Sequence, residues 1–511
     1  MVLDYVILCL YLVSMVGIAI YTKNRSKSVN DFLLAGKKGL NGWMSAFAYG
    51  TTYFSAVIFI GYAGKFGAAY QLAAVWIGIG NAIIGSLIAW LVLAKRTKVM
   101  TTRLQAKTMP EFFEKRYGSK TIKLISAIVI FIFLIPYSAS VYTGLSSMFE
   151  IVFGIEGWIV MLILAGITAL YLFFGGYFAT ALSDFIQGII MIIGVVLMVF
   201  CFMNTKEVNW DISTLKWFTF GSEKTGLYGD TVSLVSLILL TSFGVWALPQ
   251  TIHKYYAVRD DKAIMQGTIV STLFALLIGF GAYFVGGLSG LFNGTVLDGS
   301  TFGTDYAIPH MLSAVIPTGL IGVIAVLILS ASMSTLSSVS LASASVVAVD
   351  LYKGKINQKA SDKKVNTVMR VLCLIFIVIS VVLAILNEEF QVTAIAYMMG
   401  LSWGTLAGCF MGPYVLGVIS KKVTKSATRA SVISSLILTV ALILFFGYHK
   451  SGFNCSFGTA IKVGVSCSPM IGVICMIFSI IITVVVSLFT KKPSDEILYE
   501  AFDKPIENEI K

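Results

Sequence analysis

One carboxylate stands inside a long apolar run of this 511-residue chain: Asp184, within Gly-Gly-Tyr-Phe-Ala-Thr-Ala-Leu-Ser-Asp-Phe-Ile-Gln (175–187). A second polar concentration lies at 330–345, SASMSTLSSVSLASAS, with eight serines and one threonine. Ser334, Ser337 and Ser338 are spaced i, i+3, i+4, so on a helix they share one face, with Thr335 on the adjacent face. A carboxylate beside neutral hydroxyls suits a hard monovalent cation. One negative charge matches the ion's, and hydroxyl oxygens replace its water. A divalent ion would call for more carboxylates. Two plainer readings stay open: Asp184 as an interfacial residue favoured by a helix N-terminus, and Ser and Ala as a means of close helix packing.

Two apolar runs are interrupted. Gly50-Thr51-Thr52-Tyr53-Phe54-Ser55 breaks the first with poor helix formers, and Thr241-Ser242-Phe243-Gly244-Val245-Trp246, followed by Pro249, breaks the second. Unwound backbone at membrane depth is tolerated only where it lines a cavity. There freed carbonyls can hold a cation and freed N–H groups a solute. Kinks that serve packing alone are the competing reading. Catalytic chemistry has no such support. The chain has three histidines and no CxxC or HExxH spacing, so neither a catalytic metal nor an enzyme is expected.

The elements that must position these residues are membrane helices. Hydrophobic residues make up 57% of the chain and charged residues 12%, about half the charged share of a soluble protein. A water-soluble globule, a disordered chain and a nucleic-acid-binding module are excluded on that ground. Thirteen stretches are long and apolar enough to span, at about 3–22, 42–65, 71–94, 122–150, 157–176, 181–203, 231–249, 266–290, 317–349, 366–386, 392–419, 430–447 and 468–490. The first carries no basic n-region and is read as a retained helix rather than a cleaved signal. The longest polar segments, 95–121, 204–230 and the tail, are too short to bury a core of their own.

The net charge of +12 is a topology signal. Assigning alternate loops to opposite sides puts 31 of the 37 Lys and Arg on one side, with Lys23, Lys95, Arg103, Lys254 and Lys353 among them. The positive-inside rule makes that side cytoplasmic. The N-terminus is then outside and the tail inside, in the cell membrane, with lipid as partner and no nucleic acid. Of the seven cysteines, Cys455 and Cys467 share the outer loop 448–467, where an oxidising environment would allow a bridge; bridged and free forms both remain open. The other five lie in or beside apolar spans and are read as small hydrophobes.

Four motifs occur in a telling order: Thr-Met-Pro-Glu-Phe-Phe (108–113), Phe-Gly-Gly-Tyr-Phe-Ala…Asp-Phe-Ile-Gln (174–187), Met-Ser-Thr-Leu-Ser (333–337) and Asp-Leu-Tyr-Lys (350–353). With them the chain resembles the sodium:solute symporter family over most of its length. The resemblance implies an all-α polytopic fold of the leucine-transporter type, a five-plus-five inverted repeat with one extra N-terminal and two extra C-terminal helices. The units are then 1–41, the first span and its loop; 42–203, the first repeat; 204–230, an external loop; 231–419, the second repeat; 420–490, two spans; and 491–511, a tail.

It further implies a sodium site made of the Thr51, Phe54 and Ala331 carbonyls with the Ser334 and Thr335 hydroxyls. A second sodium, present in some members, maps to Asp184, Ser334, Ser337 and Ser338. The substrate pocket falls between the two breaks, at Tyr53, Ser55, Ala56, Val57, Tyr137, Thr241, Val245, Trp246 and Trp403. Tyr53, Thr241 and Val245 depart from the family's proline carriers, whereas Tyr137 is retained. Val57 and Ile58 stand where its sugar carriers place polar contacts. The expected activity is Na+-coupled import of a small organic solute, an amino acid or organic acid, by alternating access. A proton-coupled carrier on the same fold, a channel lined by the serine-rich span, and a membrane sensor are the alternatives.

Overall fold

The computed structural model describes residues 2–22, 28–34, 36, 39–219, 224, 226–390 and 392–506. Lys23, Arg25, Lys27, Lys37 and Lys38 of the first basic loop, and Lys511, lie outside the described residues. Among the described residues the chain is helical, with no strand and two isolated bridges, Leu40 with Val258 and Asn293 with Leu297. Eleven helices among the described residues are long and apolar enough to cross a membrane. We label the main helices α1 (Val2–Thr22), α2 (Gly42–Tyr53), α3 (Val57–Leu104), α4 (Lys120–Phe153), α5 (Gly157–Met203), α6 (Asp230–Gly244) and α7 (Pro249–Tyr256). The remainder are α8 (Asp261–Phe292), α9 (Ile321–Ile356), α10 (Asp362–Phe390), α11 (Ile395–Ile419), α12 (Lys425–Lys450) and α13 (Ser468–Phe489).

Eleven long helices stand against thirteen stretches because α5 and α3 each pass through a sharp non-helical turn with no loop, and the break at the end of α2 leaves that helix below span length. α5 joins two expected spans across Gly176, whose φ of 60° and ψ of −160° are not helical. α3 likewise turns at Gln71, where φ is 52°. α2, at 12 residues, is too short to be counted as a span by itself. Asn41 caps it, its side chain accepting from the Met44 N–H at 2.9 Å. It stops at Phe54, which is extended (φ −106°, ψ 115°). The second break falls later than the sequence suggests: Thr241–Gly244 are still helical, and the chain opens at Val245–Leu248 before Pro249 starts α7. Proline at the first turn needs no N–H partner, so it starts the new helix there.

The polar segment after span 3 is also more ordered than a loop. Helix α3 continues to Leu104, and a short helix, Met109–Tyr117, follows. Thr108 caps that helix, accepting from the Glu111 N–H at 3.1 Å, while Glu111 accepts from the Lys107 N–H at 2.8 Å. The Thr108 hydroxyl also donates to Asp350 at 2.6 Å. Two of the four sequence motifs therefore pack against each other.

Helix α9 is the centre of the bundle. Within its most apolar window 94% of residues are buried, against 33% for α12 and for α13, which lie at the periphery. It packs most extensively on α5, and also on α1, α2 and α4. Its serine-rich face therefore meets protein on every side.

Candidate functional site

Helix termini leave carbonyls without intrahelical partners. Because α2 ends at Tyr53, Thr51 and Thr52 have such carbonyls, and α9 covers them. The Ser334 hydroxyl lies 3.0 Å from the Thr51 carbonyl and 3.0 Å from its own helix's Ala331 carbonyl. The Thr335 hydroxyl lies 3.4 Å from Thr51, 3.4 Å from Thr52 and 3.1 Å from Ala331 carbonyl oxygens. Five oxygens thus converge in a wholly buried place between a broken helix and a hydroxyl-bearing one. Three carbonyl dipoles and two hydroxyls with free lone pairs are a donor set that fits a hard monovalent cation. Of the residues expected here, Thr51, Ala331, Ser334 and Thr335 meet. Phe54 supplies the extended backbone that frees the carbonyls, and the bonds from α9 land on Thr51 and Thr52 instead.

The second polar set is arranged differently. Ser337 donates to the Ser334 carbonyl at 2.8 Å. The Ser338 hydroxyl is 2.9 Å from that of Thr52. Asp184 faces the ammonium of Lys254 at 3.4 Å, and Lys254 donates to Ser338 at 2.8 Å. Lys254 also lies 5.1 Å from the centroid of the Tyr177 ring. This corrects the loop count: Lys254 is no loop residue but sits on α7 with 1% of its surface exposed. Without it the basic side keeps 30 residues against 6, so the charge asymmetry stands. Its signal in the sequence was faint, a lone charge among Pro249-Gln-Thr-Ile-His-Lys-Tyr-Tyr.

Beside the oxygen cluster lies an aromatic cluster, the candidate solute chamber. Tyr53 and Trp403 rings are 6.0 Å apart, and Tyr137 meets Trp403 edge-on at 5.6 Å. The Tyr137 hydroxyl is placed next to Ser55, Thr335 and the Trp403 indole, yet neither it nor the indole N–H makes a hydrogen bond. Pro136 lies inside α4 next to Tyr137, and the Ser402 hydroxyl donates to the nearby Phe133 carbonyl. The other expected pocket residues are mostly committed to structure. Tyr53 donates to the Thr241 carbonyl at 2.7 Å. Ser55 accepts from the Val57 N–H at 3.3 Å, and Ala56 lies against Gly144. Thr251 donates to the Val245 carbonyl at 2.8 Å. The Trp246 indole donates to the Ile84 carbonyl at 3.0 Å, so it is turned to α3 and has no donor left for a ligand. Asn81 was missed: it accepts from Thr241 at 2.8 Å and Ser242 at 3.2 Å. A lone amide in an apolar span is the kind of residue that marks a site. Tyr53, Tyr137 and Trp403 are all buried, so this cluster is shut off from solvent. An outer cavity of about 410 Å³, with Lys65, Asp305 and Glu388 on its wall, lies apart from it. Cys455 and Cys467 are both free thiols.

Buried broken helices around a cation-fitting oxygen cluster define a membrane transporter, and the comparisons agree. The sequence model of the sodium:solute symporter family matches residues 32–435, and the chain belongs to that family. It is 27% identical over 451 residues to the osmoregulated proline transporter of Bacillus subtilis, covering 86% of this chain and 89% of that one. It is 26% identical over 460 residues to the sodium/pantothenate symporter of Haemophilus influenzae, covering 87% and 92%. Its fold is shared with a Na+-coupled sialic acid symporter at a TM-score of 0.72 and 17% identity, covering 96% of this chain and 99% of that one. The chain is therefore a multi-pass membrane carrier rather than an enzyme, and its coupling ion is Na+.

Proposed function

We propose that this protein imports a small organic solute, of the amino-acid or organic-acid class, by Na+-driven alternating access. The observation that carries the proposal is the contact between the two halves of the site. Thr335 belongs to the oxygen cluster, and the Tyr137 hydroxyl of the aromatic chamber lies beside it. Na+ takes the Thr51, Thr52 and Ala331 carbonyls with the Ser334 and Thr335 hydroxyls and ties α2 to α9. That completes the chamber for the solute. By reciprocity the solute then strengthens Na+ binding.

The chamber offers two unspent donors, the Tyr137 O–H and the Trp403 N–H, and no charged side chain. Such a lining favours a solute that presents an acceptor such as a carboxylate, its charge offset by the neighbouring Na+. The relatives named for proline and for pantothenate differ widely in solute size, so likeness to them leaves the solute open.

The turns at Gln71 and Gly176, together with α2 rejoined to the start of α3, support thirteen passes. In that reading 42–203 and 231–419 are inverted five-helix repeats of the leucine-transporter type. α1 precedes them, α12 and α13 follow, the N-terminus is outside and the tail is cytoplasmic. A potential of 100 mV contributes about 2.3 kcal/mol per charge, and a tenfold Na+ gradient about 1.4 kcal/mol. One ion then supports roughly 500-fold accumulation of a neutral solute and two about 10⁵-fold.

The test has two stages. A thermal-shift screen of small metabolites with and without Na+ identifies the solute. Uptake into proteoliposomes is then measured. Uptake should require an inward Na+ gradient and show saturation and counterflow. Equal uptake driven by protons without Na+ would favour the proton-coupled reading, and flux without saturation a channel.

A further inference from the structure

The sodium:solute reading above leaves room for a second ion at Asp184, Ser334, Ser337 and Ser338, and there the chain already carries a cation of its own. We infer that Lys254 is a tethered cation filling that second position, so the protein binds one Na+ rather than two. The inference rests on the proposed Na+ site at Thr51, Ser334 and Thr335, and goes on to fix its stoichiometry.

The ammonium of Lys254 takes two of the side chains that the second ion would use. It lies 3.4 Å from the Asp184 carboxylate, 2.8 Å from the Ser338 hydroxyl and 5.1 Å from the Tyr177 ring centroid. A carboxylate, a hydroxyl and an aromatic face together form a cage for a positive charge. Lys254 and Asp184 are both fully buried, so each charge depends on the other for compensation. The remaining serines of the set are turned away. Ser337 is spent on the Ser334 carbonyl, and Ser334 on Thr51 and Ala331. A sodium ion entering here would place a second positive charge against the ammonium, with one carboxylate to share. Displacing the ammonium would strand it in the bundle, because α7 is itself buried along its whole length. Two neighbours hold the lysine's course: the Tyr177 ring it crosses also packs edge-on against His253 at 5.2 Å.

Lys254 belongs to the arm after the second break, whereas Asp184 and Ser338 belong to α5 and α9. The tethered charge therefore fastens the broken-helix arm to the hydroxyl-bearing helix without a bound ion. Where a bound ion would do so only when Na+ is present, this chain needs none.

The experiment counts radioactive Na+ bound at equilibrium to the purified full-length protein, with Na+ alone as the probe. One ion per wild-type chain is expected. Lys254→Gln, checked for folding by size exclusion, should bind two, with the Hill slope rising from 1 towards 2. Adding Asp184→Asn to it should return the count to one. Two ions in the wild type, or still one in folded Lys254→Gln, would overturn the tethered-cation assignment while leaving Na+ coupling intact. No Na+ bound to the wild type would overturn the sodium-site reading and this inference with it. Should Lys254→Gln not fold, the wild-type count alone decides.

Discussion

The Ser334 hydroxyl donates to the Thr51 carbonyl over 3.0 Å, joining residues 283 positions apart in sequence. Without an ion this bond satisfies a carbonyl freed by the end of α2. With an ion the hydroxyl must turn its proton away and present a lone pair. In the proposed site the same five oxygens would serve both states, and a rotation of two hydroxyls would convert one into the other.

Ser334→Ala and Thr335→Ala should each raise the Na+ concentration for half-saturation by about tenfold or more, since a hydrogen-bond-type contact to a charge is worth ~1.5–3 kcal/mol. Expression should be normal, because an alanine there is tolerated by a packed helix. Na+-dependent thermal shifts measure this. Unchanged Na+ dependence in both variants would remove these hydroxyls from the site.

Tyr137→Phe keeps the edge-on contact with Trp403 and deletes the hydroxyl beside Thr335. Solute affinity should fall by about tenfold, corresponding to one lost hydrogen bond of ~1–1.5 kcal/mol. Na+ binding to the solute-free protein should be unaltered. The increase in Na+ affinity that solute produces should shrink. Na+ titrations with and without solute read the coupling, and an unchanged factor would reject Tyr137 as the link.

Gly67→Ala should be among the more destabilising small substitutions. A Cβ there would lie 2.2 Å from the Gly286 carbonyl carbon, so α3 and α8 must part. Overpacking of this kind costs ~1–3 kcal/mol. Gly166→Ala is the control, since a Cβ there meets nothing within 4 Å and a helical alanine gains ~0.5–1 kcal/mol. Melting temperatures in detergent should drop for the first and hold or rise for the second. Equal melting behaviour would show that the close approach is not what sets the helix spacing.

Cys455 is a half-buried free thiol in the turn after α12, whereas Cys467 is buried. A membrane-impermeant maleimide added to intact cells without reductant should label Cys455. Labelling only after permeabilisation would reverse the proposed orientation. Labelling only after reduction would restore the Cys455–Cys467 bridge that the sequence left open.

Much of the site was legible in the chain. The hydroxyl face of 334–338 follows from helical period, and the break at Phe54 from a run of Gly, Thr and Ser in an apolar stretch. Apolar length gave the helices, and the charge imbalance of the loops supplies the orientation that the labelling experiment tests. Each of these depends on neighbours within a few turns, so local order carries it. Other features depended on packing. The commitment of Trp246 to Ile84, the approach of Thr335 to the Thr52 carbonyl, and the bond of Thr241 to Asn81 each require a partner from another helix. Lys254 is the sharpest case. Its position after a proline, near a basic loop, reads as cytoplasmic, and only the folded bundle carries its ammonium to Asp184, 70 residues away in sequence. A lysine's long stem lets its charge land far from its own backbone, and where it lands is decided by which helices pack around it.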